Sequence, residues 1–195
     1  YHLDGCSKAA AAIIERYKDQ PFFLYVAYRG PHTPLDAPPK YTSRFPGEMP
    51  ERRRQALAMI SAIDDGVGRI MATLREHKLD KNTLIFFMGD NGEAHIRGKQ
   101  FCYEEGLRVP FIVRWPGKVA PNQVINGVIS GMDWFPTFVA AAGYEGDIVA
   151  DLKDGKKLNG KKYKVHLDGY DQTALLTQDG DSTRNEIWYF AESTL

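Results

Sequence analysis

Apolar positions recur at helical spacing in three stretches of the chain. Over residues 5–18, Ala9, Ile13, Ile14 and Tyr17 share one face, and Pro21 marks a stop. Over residues 51–77 the stripe is Ala56, Met59, Ile60, Ile63, Val67, Ile70, Met71 and Leu74, with Glu51 in the first turn. Gly66 and Gly68 interrupt that helix at a cost of about 1 kcal/mol each relative to Ala, which points to close packing against a sheet. A third helix starts at Asp133 as N-cap, carries Pro136 in its first turn, runs to Ala142 and ends at Gly143. Between these lie continuous apolar runs. Residues 22–28 and 83–88 read as strands buried on both faces, 109–115 as a third and 124–129 as a short fourth.

Helices alternating with buried strands predict an α/β fold with a largely parallel sheet flanked by helices. Residues 29–50 carry six prolines, which predicts a long loop without helix or central strand. A loop of that length in a compact domain is usually functional. After Gly143 the chain turns polar, with short strands expected at 163–167 and 187–190. The expected organisation is therefore 1–144 as part of an α/β domain, and 145–195 as a linker and the beginning of a small α+β subdomain.

Composition narrows the functional classes. The 195 residues carry 25 Lys+Arg and 25 Asp+Glu. This balance removes the electrostatic case for a dedicated nucleic-acid binder. The longest apolar runs are about eight residues, far from the roughly 20 of a membrane helix, so no transmembrane segment is expected. No signal peptide is visible, and Tyr1 in place of Met reads as an internal cut. Cys6 and Cys102 allow at most one disulfide and have no zinc-ligand spacing.

In an open parallel sheet, ligands bind beyond the carboxyl ends of the strands. Two predicted strands end in polar loops there. One runs Arg29-Gly30-Pro31-His32-Thr33-Pro34, and the other starts Gly89-Asp90-Asn91-Gly92 and continues through His95, Arg97 and Lys99. Asp90 and Asn91 offer oxygen ligands suited to Ca2+ or Mg2+, although Asp-Asn-Gly is also ordinary turn chemistry. Arg97 and Lys99 could hold an oxyanion, or form a solvated basic turn. His32 could donate to an anion or protonate a leaving group, or be a surface histidine, and His95 has the same two readings. The adjacent Asp64 and Asp65 lie mid-helix about 100° apart and read as structural. No Gly-x-Ser-x-Gly elbow and no Gly-rich phosphate loop occurs.

Several segments together resemble the sulfatase family. PFFLYVAYRGPHTPLDAPPKY is similar to its strand with a His-x-Pro loop, and AMISAIDDGVGRIMATL to the helix that follows. NTLIFFMGDNG is similar to the family strand ending in Asp-Asn-Gly. RGKQFCYEEGLRVPFIVRWPGKV, MDWFPTFVAAAG and YKVHLDGYDQTALL follow in the family's order. The resemblance implies an alkaline-phosphatase-like fold, here incomplete, and hydrolysis of sulfate esters or sulfamates in a sulfated small molecule or sulfated glycan. It implies Asp90 and Asn91 as Ca2+ ligands, Lys99 and His32 as the groups on the sulfate, and Arg97 and His95 as further substrate-binding residues. It also implies export from the cytoplasm.

The family's N-terminal Asp-Asp metal pair is not found in this sequence. Nor is the Cys- or Ser-x-Pro/Ala-x-Arg signature, whose first residue becomes the formylglycine nucleophile; neither Cys6 nor Cys102 fits it. The chain therefore reads as the C-terminal part of a sulfatase, inactive by itself. Two alternatives stand beside this reading. One is a phosphodiesterase or phosphomutase of the same superfamily, and the other a non-catalytic anion-binding module.

Overall fold

The computed structural model describes residues 1–93 and 97–190. The chain divides into two compact units, Tyr1–Thr83 and Leu84–Leu195.

The first unit is built on two helices. α1 spans His2–Tyr17 and buries Leu3, Ser7, Ala10 and Ile14. These positions repeat every three or four residues, so one stripe faces inward. α2 is a single turn, Pro39–Thr42. α3 spans Glu51–Glu76 and buries Ala58, Met59, Ala62, Ile63, Gly66 and Leu74. The core joins Leu3 of α1 to Ala37, Tyr41, Ala58, Met59, Ala62 and Ile63, with Tyr28, Leu35, Phe45 and Val67 packed around it. The helix expected over 51–77 thus forms with its ends within one residue.

The proline-rich loop is not free of helix. Pro39 sits at the start of α2, where its missing N–H would have had no helical partner and its fixed φ suits the first turn. Gly66 marks close packing as expected, but against a helix and a tyrosine: a Cβ there would collide with Ser7 Oγ and approach Tyr28 Oη to 2.8 Å. Gly68 has nothing within 4 Å of its would-be Cβ.

Residues 22–28 carry no helix or ladder and join neither sheet of the described residues. They alternate between half-buried and exposed, and Phe23 and Tyr25 are 76% and 80% exposed. The expectation of a strand buried on both faces is corrected here. The segment has a period-2 pattern with one face turned inward, and a strand buried on both faces needs neighbours on both sides.

The second unit holds the two short sheets. β1, Ile85–Met88, pairs antiparallel with β2, Phe111–Arg114, in the register Ile85 opposite Arg114. Between them lies α4, Glu104–Leu107. A 3-10 turn, Gly131–Asp133, leads into α5, Trp134–Ala141. Then come α6, Ile148–Asp154, and a hairpin of β3, Lys156–Leu158, with β4, Lys161–Tyr163, also antiparallel. α7 spans Thr173–Thr177. Both ladders are antiparallel, so the largely parallel arrangement predicted from the helix–strand alternation is not formed among the described residues. The strands expected at 124–129 and 187–190 are not in a ladder, and Val124 is 83% exposed.

Aromatic side chains join α5 to the β1–β2 pair. Phe111 stacks on Trp134 with centroids 4.5 Å apart, and Phe86 meets Phe138 edge to face at 4.7 Å. Trp134 Nε1 donates to Met88 Sδ at 2.8 Å. α5 ends within one residue of the predicted end, with Ala142 as its C-cap and Gly143 next at φ +90°, a left-handed position that glycine takes without a Cβ penalty.

The start of α5 differs from expectation. The capping box belongs to Ser130: its hydroxyl accepts from Met132 N–H, while Asp133 Oδ2 accepts from Ser130 N–H. Asp133 is fully buried and ion-paired with Arg184 rather than acting as the cap of α5.

Candidate active site

The Asp90-Asn91 loop follows β1 directly. Gly89 N–H donates to Pro110 O at 3.0 Å, extending the pairing with the β2 side by one step. Beyond this anchor both Asp90 and Asn91 are exposed, and the Asn91 side-chain amide donates to Gly92 O at 2.8 Å. Gly92 then passes so close to α4 that a Cβ would collide with the Glu105 carbonyl. From the other side, a Cβ on Gly106 would collide with the carbonyls of Gly98 and Phe101. Two glycines therefore let three backbone segments pack without side chains between them.

This packing shapes the loop that carries Lys99. Lys99 N–H donates to Glu93 O at 3.0 Å, and Phe101 N–H donates to Gly98 O at 2.9 Å. On the other face of the same residue, Tyr189 Oη donates to the Lys99 carbonyl at 2.9 Å. Lys99 is half-buried. Arg97, held at φ +71°, lays its guanidinium over the Tyr103 ring, 4.7 Å from the centroid. Asp90, Asn91, Arg97 and Lys99 thus all belong to the second unit, on the loop between β1 and α4. His95 lies outside the described residues.

His32 belongs to the first unit. It is exposed, and its Nδ1 lies 2.7 Å from Thr33 O. Since a carbonyl only accepts, this contact places the proton on Nδ1 and leaves Nε2 as the open ring nitrogen. The first unit also holds a polar cavity of about 250 Å³ lined by Asp4, Lys40, Tyr41, Arg44 and Asp65 among others. Its two carboxylates are paired: Asp4 accepts from Lys40 and Tyr41, both at 2.5 Å, and Asp65 accepts both guanidinium arms of Arg44, at 2.9 and 2.8 Å. The Arg44 hydrogen bonds hold Asp65 below the usual carboxylate range against a small opposing effect of burial. This agrees with the structural role expected of the mid-helix Asp65.

Sequence reasoning missed a buried charge network in the same unit, centred on Asp133. Asp133 accepts from Arg184 Nη2 at 2.7 Å and Nε at 3.0 Å, from Tyr170 N–H at 2.9 Å, and from Gln172 Nε2 at 3.2 Å. Burial alone would raise its pKa; the bonds from Arg184 and the Ser130 and Tyr170 amides outweigh that and hold it low. Only the Asp-x-x-Pro-Thr wording hinted at a special position. Its partner lies 51 residues away.

The donor types on the β1 loop fit a hard cation, one carboxylate and one amide oxygen. Among the described residues, however, no three His, Cys, Asp or Glu side chains are gathered to hold a metal. Cys6 and Cys102 are free thiols.

With this geometry in hand, comparison with known proteins is decisive. The sulfatase family model matches residues 6–144. The chain belongs to the sulfatase family. It is 38% identical over 188 residues to the N-acetylgalactosamine-6-sulfatase of Sus scrofa, covering 90% of this chain and 32% of that protein. It is 35% identical over 174 residues to the uncharacterized sulfatase YdeN of Escherichia coli K12, covering 81% and 30%. Among solved structures, Ps i-CgsB superposes with a TM-score of 0.78 at 31% identity, over 93% of this chain and 39% of that one. Ps i-CgsB has also been solved in complex with k-i-k-neocarrahexaose. This sulfatase chain spans about a third of the length of the curated relatives it matches. Its helices and short sheets are those of an alkaline-phosphatase-like domain, and no helix among the described residues is long and apolar enough to cross a membrane.

Proposed function

We propose that this chain supplies one side of a sulfatase active site that removes sulfate from a sulfated glycan. The single observation that supports this reading is the loop after β1, which carries Asp90, Asn91 and Lys99 along one stretch of chain, with backbone bonds at Gly89 and Lys99 and the Tyr189 hydroxyl on the Lys99 carbonyl. The class of substrate is supported by the relatives. One is named N-acetylgalactosamine-6-sulfatase, and Ps i-CgsB was crystallised in complex with k-i-k-neocarrahexaose.

Lys99, as a compact cation with three donors, would hold the sulfate oxygens and offset the charge that builds on them. His32, in its imidazolium form with Nε2 carrying a second proton, would donate to the ester oxygen or protonate it as it leaves. Arg97 and His95 would contact the sugar side. Asp90 and Asn91 would supply part of a Ca2+ shell, and a bound Ca2+ would polarise the sulfate further. The formylglycine nucleophile and the remaining metal carboxylates would come from sequence outside this chain. Residues 1–144 would then be the later part of the catalytic domain and 145–195 the start of a smaller subdomain; the family match ending at 144 supports that division. Export from the cytoplasm fits the family.

Sulfate release by the full-length protein, compared on an aryl sulfate, a 6-sulfated hexosamine and an aryl phosphate, tests the reading. Lys99→Ala should lower kcat/KM on the sulfates about 100- to 1000-fold, the usual loss of a charge-stabilising donor. Faster turnover of the phosphate, or full activity without Lys99, would overturn it.

A further inference from the structure

We infer that Tyr189 is a positioning residue for Lys99, acting on its backbone from the far end of the chain. This inference rests on the sulfate-binding role proposed above for Lys99.

The segment after Arg184 is mostly outside the protein. Ile187 is 43% exposed, Trp188 69% and Phe190 88%. Tyr189 alone among these four is turned in, and its hydroxyl is spent on one atom, the Lys99 carbonyl, at 2.9 Å. The segment is held in place five residues earlier. Arg184 is 5% exposed, grips Asp133 with Nε and Nη2, and reaches Asp168 O at 2.7 Å and Glu186 O at 3.2 Å. Tyr189 is therefore delivered to the loop by a buried ion pair anchored at the start of α5.

The loop needs such a tie. Its residues Arg97, Gln100, Phe101 and Tyr103 are exposed, and among its described residues the internal bond that reaches Lys99 is the one from its N–H to Glu93 O. The Tyr189 bond takes the other half of the residue, the carbonyl, and so fixes the peptide plane between Lys99 and Gln100. With both sides of Lys99 held, the side chain starts from a defined Cα–Cβ direction. A lysine has four rotatable side-chain bonds, so any drift at its root is amplified at the ammonium. A misplacement of about 1 Å at a reacting group can cost a hundredfold in rate. The tie thus converts a flexible point charge into a placed one, without touching the substrate itself.

The test uses the full-length protein, with Tyr189→Phe, Lys99→Ala and the double variant. Tyr189→Phe keeps the ring and removes only the hydroxyl. Loss of one such hydrogen bond corresponds to a factor of about five, so amide hydrogen exchange at residues 99–101 should speed up about fivefold, while that of 134–141 stays unchanged. kcat/KM on an aryl sulfate should fall by at least the same factor, with more of the loss in kcat than in KM, because the charge must be best aligned when it develops. In the Lys99→Ala background, Tyr189→Phe should cost nothing further.

A merely structural Tyr189 would instead lower activity in both backgrounds and loosen 134–141 as well; that pattern overturns the inference. So does unchanged exchange at 99–101. If Lys99→Ala abolishes turnover while Tyr189→Phe leaves it intact, this inference falls and the sulfatase reading stands. If Lys99→Ala keeps full turnover, both fall together.

Discussion

Replacing Arg184 by Met would leave a carboxylate stranded in the second unit, and the size of the effect can be worked from the contacts. Asp133 is fully buried and receives the guanidinium through Nε at 3.0 Å and Nη2 at 2.7 Å. Breaking a buried pair by removing one partner typically costs 3–5 kcal/mol, because the remaining charge is uncompensated. Two features adjust that range in opposite directions. Three neutral donors would remain on Asp133, the amides of Ser130 and Tyr170 and the side chain of Gln172, which softens the loss. Against this, the carbonyls of Asp168 and Glu186 lose their Arg184 donors. The expected destabilisation is therefore about 4 kcal/mol at neutral pH, near the middle of the range.

The pH dependence carries a sign that separates this account from a packing defect. In the native protein the Asp133 carboxyl lies below its ordinary pKa. Its contribution to stability is thus complete above the ordinary carboxylate value and is lost as the pH falls through the depressed one. Without Arg184, burial dominates and the carboxyl rises above its unfolded value, so acidification relieves the variant while it weakens the native protein. The stability gap should narrow steadily below about pH 5. Urea denaturation of the full-length protein and of Arg184→Met, Asp133→Asn and the double variant would measure this. A loss under about 1 kcal/mol, or single losses that simply add in the double variant, would refute the reasoning.

Other expectations follow from single contacts. Gly66→Ala and Gly68→Ala are the same change two residues apart in α3, yet they should move stability in opposite directions. Gly68→Ala, with open space at its Cβ, should gain up to about 1 kcal/mol from helix propensity, whereas Gly66→Ala drives a methyl into the buried Ser7 hydroxyl and should lower the midpoint of urea unfolding. Gly106→Ala would push the Gly98 and Phe101 carbonyls away and should reduce sulfate turnover by moving the Lys99 loop, with little change in far-UV circular dichroism; unaltered turnover would show that the close approach is not needed.

What could be read from the sequence was what depends on neighbours in the chain. α3 declares itself by a long apolar stripe, α5 by Pro136 in its first turn and Gly143 past its end, and β1 and β2 by apolar runs; α1 forms before the stop at Pro21, but of the stripe Ala9, Ile13, Ile14 and Tyr17 only Ile14 is buried, the inward face being Leu3, Ser7, Ala10 and Ile14. Short elements in polar surroundings were not seen. α6 has a sound signal, the Asp147 side chain accepting from the Val149 and Ala150 amides with Ile148 and Leu152 buried one turn apart, but it sits in a stretch rich in Asp, Lys and Gly. α7 is a single turn. Residues 22–28 show the limit of the strand signal: the period is local, while pairing depends on which backbone lies alongside. The polar loop at Asp90, Asn91 and Gly92, which follows the end of β1, was legible because turn chemistry is local.

The longest-range contacts are also those that give the second unit its order. Asp133 reads from sequence as a helix cap, a role that needs only the next three residues. In the structure its carboxylate is bonded by Ser130 three residues back, Tyr170 and Gln172 about forty ahead, and Arg184 beyond them. A single buried charge thus closes the chain from 130 to 184 into one piece. From that piece Tyr189 reaches the Lys99 carbonyl across 90 residues. A charge buried in this way is weak evidence for stability, since an apolar replacement of equal volume often does as well. Its effect here is directional: an apolar contact lets a segment slide, whereas a forked guanidinium on a fixed carboxylate sets position and orientation together. That is the property needed if residues 184–189 are to hold in place the lysine proposed above to bind sulfate, and it gives Asp133 and Arg184 a reason to be charged.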